Sequence, residues 1–131
     1  MRVVNAGPQV GVQRLAKAQQ FADAANLVLD LAEEAEDVGD AFVTLAVHAG
    51  IAAADAICIA QLRRYSRGEN HQEAVALLGE ADAARAAPLS RLLQLKTKAG
   101  YSPESVSAKD RTAASRAMKT LLASARRVNG R

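Results

Sequence analysis

The sequence predicts an all-α fold, an antiparallel four-helix-type bundle with one additional short helix, and three observations carry that expectation. Thirty of the 131 residues are alanine, the strongest helix former and a poor filler of strands. Apolar residues recur at helical spacing along most of the chain, and no stretch shows the period-of-two alternation of a half-buried strand. Turn residues cut the chain at a few points into pieces of helix length. With 50% hydrophobic and 24% charged residues, the chain can bury one ordinary core, so a single domain over residues 12–128 is expected behind a flexible N-terminal segment, residues 1–11.

The first helix is expected from Val12 to Asp37. Leu15, Ala18, Ala22, Ala25, Leu29 and Ala32 recur at alternating spacings of three and four, a seam of the kind that packs helix on helix. Gly39 breaks it. The second helix, Asp40 to Tyr65, is apolar almost all round and is expected to be the most buried element. Its core, Ala41 to Ala60, has the length of a membrane span, but eight of its positions are Ala and Asp55 lies within it. A central Asp costs about 2.5–3.5 kcal/mol on insertion, which Ala does not offset, so burial in a bundle is the better reading and no membrane is expected.

Ser66 to Asn70 reads as a turn. Asn70 and Glu73 resemble a capping-box variant that opens a third helix at His71 and ends it before Pro88. A shorter helix follows, Leu89 to Ala99, stopped by Gly100. Ser102-Pro103 is a helix-start signal, and Ser107 with Asp110 can cap the last helix. In that helix Ala114, Ala117, Met118, Leu121, Leu122, Ala125 and Val128 form one stripe.

Composition narrows the chemistry. One cysteine, Cys58, excludes an intramolecular disulfide and a cysteine metal cluster, and His48 and His71 alone leave little room for zinc. No metal or cofactor is expected. The first residues lack an apolar signal core, which points to a cytoplasmic protein. The charge is uneven. Residues 1–90 carry 7 Lys and Arg against 12 Asp and Glu, a net −5, and residues 91–131 carry 10 against 2, a net +8. The basic end is suited to phosphates, to the acidic surface of its own bundle, or to a second subunit.

Phosphate loops, zinc-protease motifs and serine-nucleophile motifs are missing. Two constellations remain. Thr44, His48 and Asp55 share one face of the second helix; His48 and Asp55 stand two turns, about 10 Å, apart and are not expected to touch. The stripe reads first as polar groups satisfied by neighbouring helices or a second subunit. The other constellation is the basic turn holding Arg63, Arg64, Arg67, Asn70 and His71. Arginine binds phosphate in a fork, a helix N-terminus adds donors, and histidine moves protons near neutral pH. That is a sufficient kit for metal-free RNA cleavage, with His71 taking the 2′-hydroxyl proton and an arginine stabilising charge at phosphorus. The plainer reading has Arg63 and Arg64 facing a helix C-terminal dipole while Asn70 caps the next helix.

Several ordered pieces resemble the HEPN domain family (higher eukaryotes and prokaryotes nucleotide-binding), especially its small prokaryotic members. They are Leu15-Ala16-Lys17-Ala18 to Leu27-Val28-Leu29, the small-residue stretch His48 to Ala56, His71 at a helix start, Leu95 to Tyr101, and Ala113 to Arg127. Together they span residues 13–128. The family's ribonucleases use an Arg, four to six intervening residues, then His. Arg64 and His71, with six between, fit that spacing, although Tyr65 stands where many active members carry a polar residue.

The resemblance implies an RNA- or nucleotide-binding protein and a homodimer. In active members it implies metal-independent endoribonuclease activity in toxin–antitoxin or phage-defence settings, with Arg64 and His71 catalytic. Arg63, Arg67, Asn70, Lys98 and Tyr101 would then add substrate contacts. The alternative is a non-catalytic interaction module or structural homodimer that pairs with an antitoxin or a nucleotidyltransferase-type partner. Scarcity of aromatic residues argues against single-strand stacking.

Overall fold

The computed structural model describes residues 2–130, and among them five helices and one short two-stranded ribbon form the fold. In chain order these are β1 (Val3–Asn5), α1 (Pro8–Leu31), α2 (Gly39–Leu62), β2 (Arg64–Ser66), α3 (His71–Ala81), α4 (Ala86–Gly100) and α5 (Ala108–Val128). Four longer helices and the shorter α3 make the all-α bundle expected from the sequence. Leu15, Ala18, Ala22 and Ala25 of the α1 seam are buried, as is the α5 stripe from Ala114 to Ala125 apart from half-buried Leu122.

The core is organised around α2, which packs against all four other helices. Its small residues permit this. Ala46, Ala52, Ala53 and Ala56 are fully buried, and a methyl group on Gly50 would collide with Leu92 of α4. A stretch long and apolar enough to cross a membrane therefore has 72% of its most apolar window covered by the bundle.

Helix boundaries follow their caps. Ser107 and Asp110 form the reciprocal capping box of α5, each side chain accepting from the other's backbone N–H. The α5 start is set there and not at Ser102-Pro103, which lies in the irregular segment before it. Asn70 accepts from Glu73 N–H to cap α3, but the Glu73 carboxylate accepts instead from the backbone N–H of Arg2. Pro88 does not follow α3 directly. The helix ends at Ala81, and Asp82 begins a 3₁₀ turn by accepting from Ala84 N–H. Pro88 then sits in the first turn of α4, where its missing N–H has no helical acceptor to lose.

Two expectations need correction. The first helix stops at Leu31 and not at Asp37. Glu33, Glu34, Glu36 and Asp37 are exposed, and four carboxylates would oppose the negative C-terminal pole of a longer helix. Gly39 begins α2, preceded by a 3₁₀ turn at Ala35–Val38.

The second correction concerns residues 1–11. Met1 lies outside the described residues; Val3–Asn5 form a strand and α1 begins at Pro8, four residues before Val12. Proline in the first turn is preorganised for that start. The strand pairs antiparallel with β2 in the register Val3↔Ser66, Val4↔Tyr65 and Asn5↔Arg64. Two flanking bonds extend it, from Ala6 N–H to Arg63 O at 2.9 Å and from Arg67 N–H to Arg2 O at 2.8 Å. The ribbon also shortens α2, which ends at Leu62 and not at Tyr65.

Candidate functional site

The break between α2 and β2 is made by Arg63, whose φ of 58° and ψ of 28° place it in the left-handed region. Its guanidinium turns back and donates from Nη1 to the carbonyls of Ile59, at 3.1 Å, and Ala60, at 2.9 Å. Arg63 thus closes the α2 C-terminus, the plainer of its two expected roles. The chain then runs as β2 along β1, turns at Gly68, and enters α3 at Asn70. Space there is tight: a Cβ on Gly68 would fall 2.8 Å from the Arg2 Cβ.

Behind this turn lies a cleft of about 240 Å³ between α2, the β2–α3 turn, α3 and α4. The turn contributes Ser66, Glu69, Asn70 and His71 to its wall, α4 contributes Lys96, and α2 contributes His48 and Asp55, so two carboxylates share the space with its cationic groups. Its floor is apolar, with Ile51, Ala54, Leu77 and Leu93 among the side chains. His48 and Asp55 of one constellation and Asn70 and His71 of the other therefore face one space, which Thr44, Arg63, Arg64 and Arg67 do not line. The Ser66 hydroxyl is buried in this wall without a hydrogen-bond partner.

Asp55 is held from α1. Arg14 approaches one carboxylate oxygen with Nη2 at 3.0 Å and Nε at 3.1 Å. Burial pushes the Asp55 carboxyl up to about 7, against the opposing pull of Arg14. His48 is exposed at the mouth and stacks on Phe21 of α1, with ring centroids 5.4 Å apart and 30° between planes. Cys58 also lines the cleft, but burial first, and then the neighbouring Asp55, push its thiol up to about 12. It stays protonated and is no nucleophile.

Arg64 and His71 are not brought together in this cleft. Arg64 Nη2 lies 3.8 Å from Glu80 Oε2 of α3, and the Arg64 side chain does not line the wall that His71 forms. Arg67 is exposed on the turn and is tied there through its backbone to Arg2. Lys98 is engaged elsewhere, donating to Asp110 at 3.0 Å; that bond raises the Lys98 pKa. Asp110 is lowered first by its Ser107 backbone hydrogen bond and then by Lys98. Tyr101 is 78% exposed and lines a smaller hollow of about 150 Å³ with Thr44, His48 and Lys96. His48 and Lys96 border both spaces, so Tyr101 stands beside the cleft.

Lys96, Ser66 and Arg14 are absent from the residues singled out by sequence, and Asp55 is singled out there without its partner. Lys96 stands two residues before Lys98, and helical geometry gives those neighbours different faces. Arg14 and Asp55 are 41 positions apart, and nothing local in either segment announces the pair.

The chemistry available is that of a half-polar pocket. A helix N-terminus and Lys96 attract an anion at one side, the apolar floor accepts a flat ring, and His48 and Asp55 offer directional hydrogen bonds. Comparison of the chain with known protein families, and with curated proteins, gave no match.

Proposed function

We propose that this chain is a HEPN-like nucleotide-binding module, cytoplasmic and without a metal, whose cleft takes a nucleoside phosphate or the phosphorylated end of an RNA. One observation carries the reading: Asn70 and His71 at the α3 N-terminus line the same 240 Å³ space as Lys96 and the apolar floor of α2 and α4. The phosphate sits at the helix start, where backbone N–H groups and Lys96 meet its charge, and the base lies against Ile51 and Leu93. Binding is favoured over cleavage within one chain because Arg64 is paired with Glu80, outside that space.

Calorimetric titration with adenosine, guanosine, cytidine and uridine monophosphates tests the reading. Lys96→Ala and His71→Ala each weaken binding by about tenfold, the size of one lost charge-assisted hydrogen bond. Arg64→Ala changes it by less than about twofold, since a residue outside the cleft contributes only at long range. Absence of binding by the wild type, or equal binding by all variants, overturns it.

A second reading rests on Arg64 itself, whose side chain is 40% exposed and whose contact with Glu80 is long. A second copy in a homodimer can recruit such a guanidinium to complete an Arg–His pair for RNA cleavage, with His71 as the proton-transfer group. Incubation of labelled RNA in EDTA with wild type and His71→Ala separates the readings. Cleavage by the wild type alone, leaving 2′,3′-cyclic phosphate, establishes the ribonuclease; no cleavage leaves the binding module and its antitoxin or nucleotidyltransferase-type partner.

A further inference from the structure

The outward face of α5 carries charge of one sign along most of its length. Lys109, Arg116, Lys119, Arg126 and Arg127 are all exposed, and at 3.6 residues per turn they fall within an arc of about 100°. From Lys109 to Arg127 the helix rises about 27 Å, at 1.5 Å per residue. Asp110 is the one carboxylate of α5, and it is bound to Ser107 and Lys98. Among the described residues, no carboxylate oxygen lies within 4.0 Å of a charged nitrogen of these five cations.

The charge continues on both flanks. A hollow between α4 and α5 is lined by Arg91, Arg116 and Thr120, and another, toward α1 and α2, by Arg111, Ser115, Arg116 and Lys119 over half-buried Leu29 and a fully buried Phe42 that offers no stacking face. Arg116 borders both. Cations thus stand on the ridge and in the grooves at its sides.

The neutral residues of this face decide the kind of partner. Thr112 and Ala123 are exposed between the cations, while Met118 and Leu121 point into the core. A protein interface draws its affinity from buried aromatic or large apolar anchors, and this ridge has none. Stacking of single-stranded bases needs aromatic platforms, also missing here. What remains is a ladder of cations suited to regularly spaced phosphates, with nothing to read base edges.

We propose that the outward face of α5, flanked by Arg91 and Arg111, docks the phosphodiester backbone of a nucleic-acid duplex without regard to its sequence. This surface is separate from the nucleotide cleft, and neither proposal requires the other.

Fluorescence anisotropy with DNA and RNA duplexes of roughly 20 base pairs, about two helical turns, tests it. Five neutralised phosphates give a logarithmic salt slope of about −4.5. The triple variant Arg116→Glu, Lys119→Glu, Arg127→Glu loses at least about tenfold in affinity and has a slope shallower by about 2.7 or more. The double variant Arg116→Lys, Arg127→Lys retains binding. Since these side chains are exposed, circular dichroism and mononucleotide binding in the cleft stay as in the wild type; should the glutamates disturb the helix, glutamines at the same positions give the same reading. Equal weakening on DNA and RNA assigns the shared backbone as ligand, and weakening on one alone assigns that duplex form. Wild type without salt-dependent duplex binding, or a folded triple variant that binds as the wild type does, overturns the proposal.

Discussion

Arg64 reaches Glu80 across 3.8 Å, whereas His71, seven positions further along, faces the cleft. Both side chains of this pair are substantially exposed, at 40% and 61%, so the contact contributes no more than about 1 kcal/mol to stability. Glu80→Ala should leave the melting temperature within about 4 °C of wild type on that account. It should also raise affinity for a short RNA about two- to fivefold, because one cation is freed for phosphate. Weaker RNA binding by Glu80→Ala would show that the pair positions the turn.

Asp55 makes stability depend on pH. Its carboxyl titrates at about 7 in the fold against an ordinary 3.8, chiefly because it is buried. A carboxyl raised on folding adds stability that is full below its unfolded value and is lost as pH rises through the folded one. The window therefore runs from about pH 4 to pH 7, and the loss amounts to at most about 4 kcal/mol, at about 1.4 kcal/mol per pH unit. The unfolding free energy of wild type minus that of Asp55→Asn should fall as pH rises across that window. A wild type that gains stability relative to Asp55→Asn as pH rises would mean that the Arg14 ion pair outweighs burial.

Val4 pairs with Tyr65 in the ribbon that holds the cleft's outer turn. Val4→Pro removes a ladder donor and should cost about 1–3 kcal/mol. The helical signal should survive, because the core lies in the bundle, while nucleotide affinity falls as Ser66 and Asn70 lose their support. Unchanged affinity in a folded Val4→Pro protein would show that the turn holds its shape without β1.

Ala53 is fully buried in the middle of α2. Ala53→Asp places a carboxylate among apolar side chains, at a cost of several kcal/mol, a large part of the stability of a domain this size. Aggregation or a melting temperature lowered by more than about 10 °C is expected. Ala123→Asp, on the exposed face of α5, should fold normally and serves as the control.

Elements written in local sequence were legible, and elements made by distant partners were not. The Ser107–Asp110 box, the Asn70 cap, the α1 seam and the burial of α2 each follow from residues within a few turns of one another. β1 and β2 are three residues each, too short for an alternating pattern to register, and each gains its ladder bonds from the far end of the other's chain segment. Proline stops helices, so Pro88 reads in sequence as the limit of α3; its place in the first turn of α4 depends on Asp82 closing α3 earlier. The basic turn was seen as one site, but charge alone does not fix direction. Arg63 folds back on α2, Arg64 leans to α3, and Asn70 and His71 are left at the cleft.

The ribbon has a consequence for the order in which the molecule assembles. Arg2 N–H bonds Glu73 across 71 positions, whereas α1 and α2 are neighbours in the chain and pack along one another. Closing the longer loop costs more entropy and is repaid only by a few hydrogen bonds, so the α1–α2 hairpin forms ahead of it. A refolding chain thus pairs α1 with α2 before the ribbon closes the outer wall of the cleft, so the wall that a ligand meets is among the later parts to form.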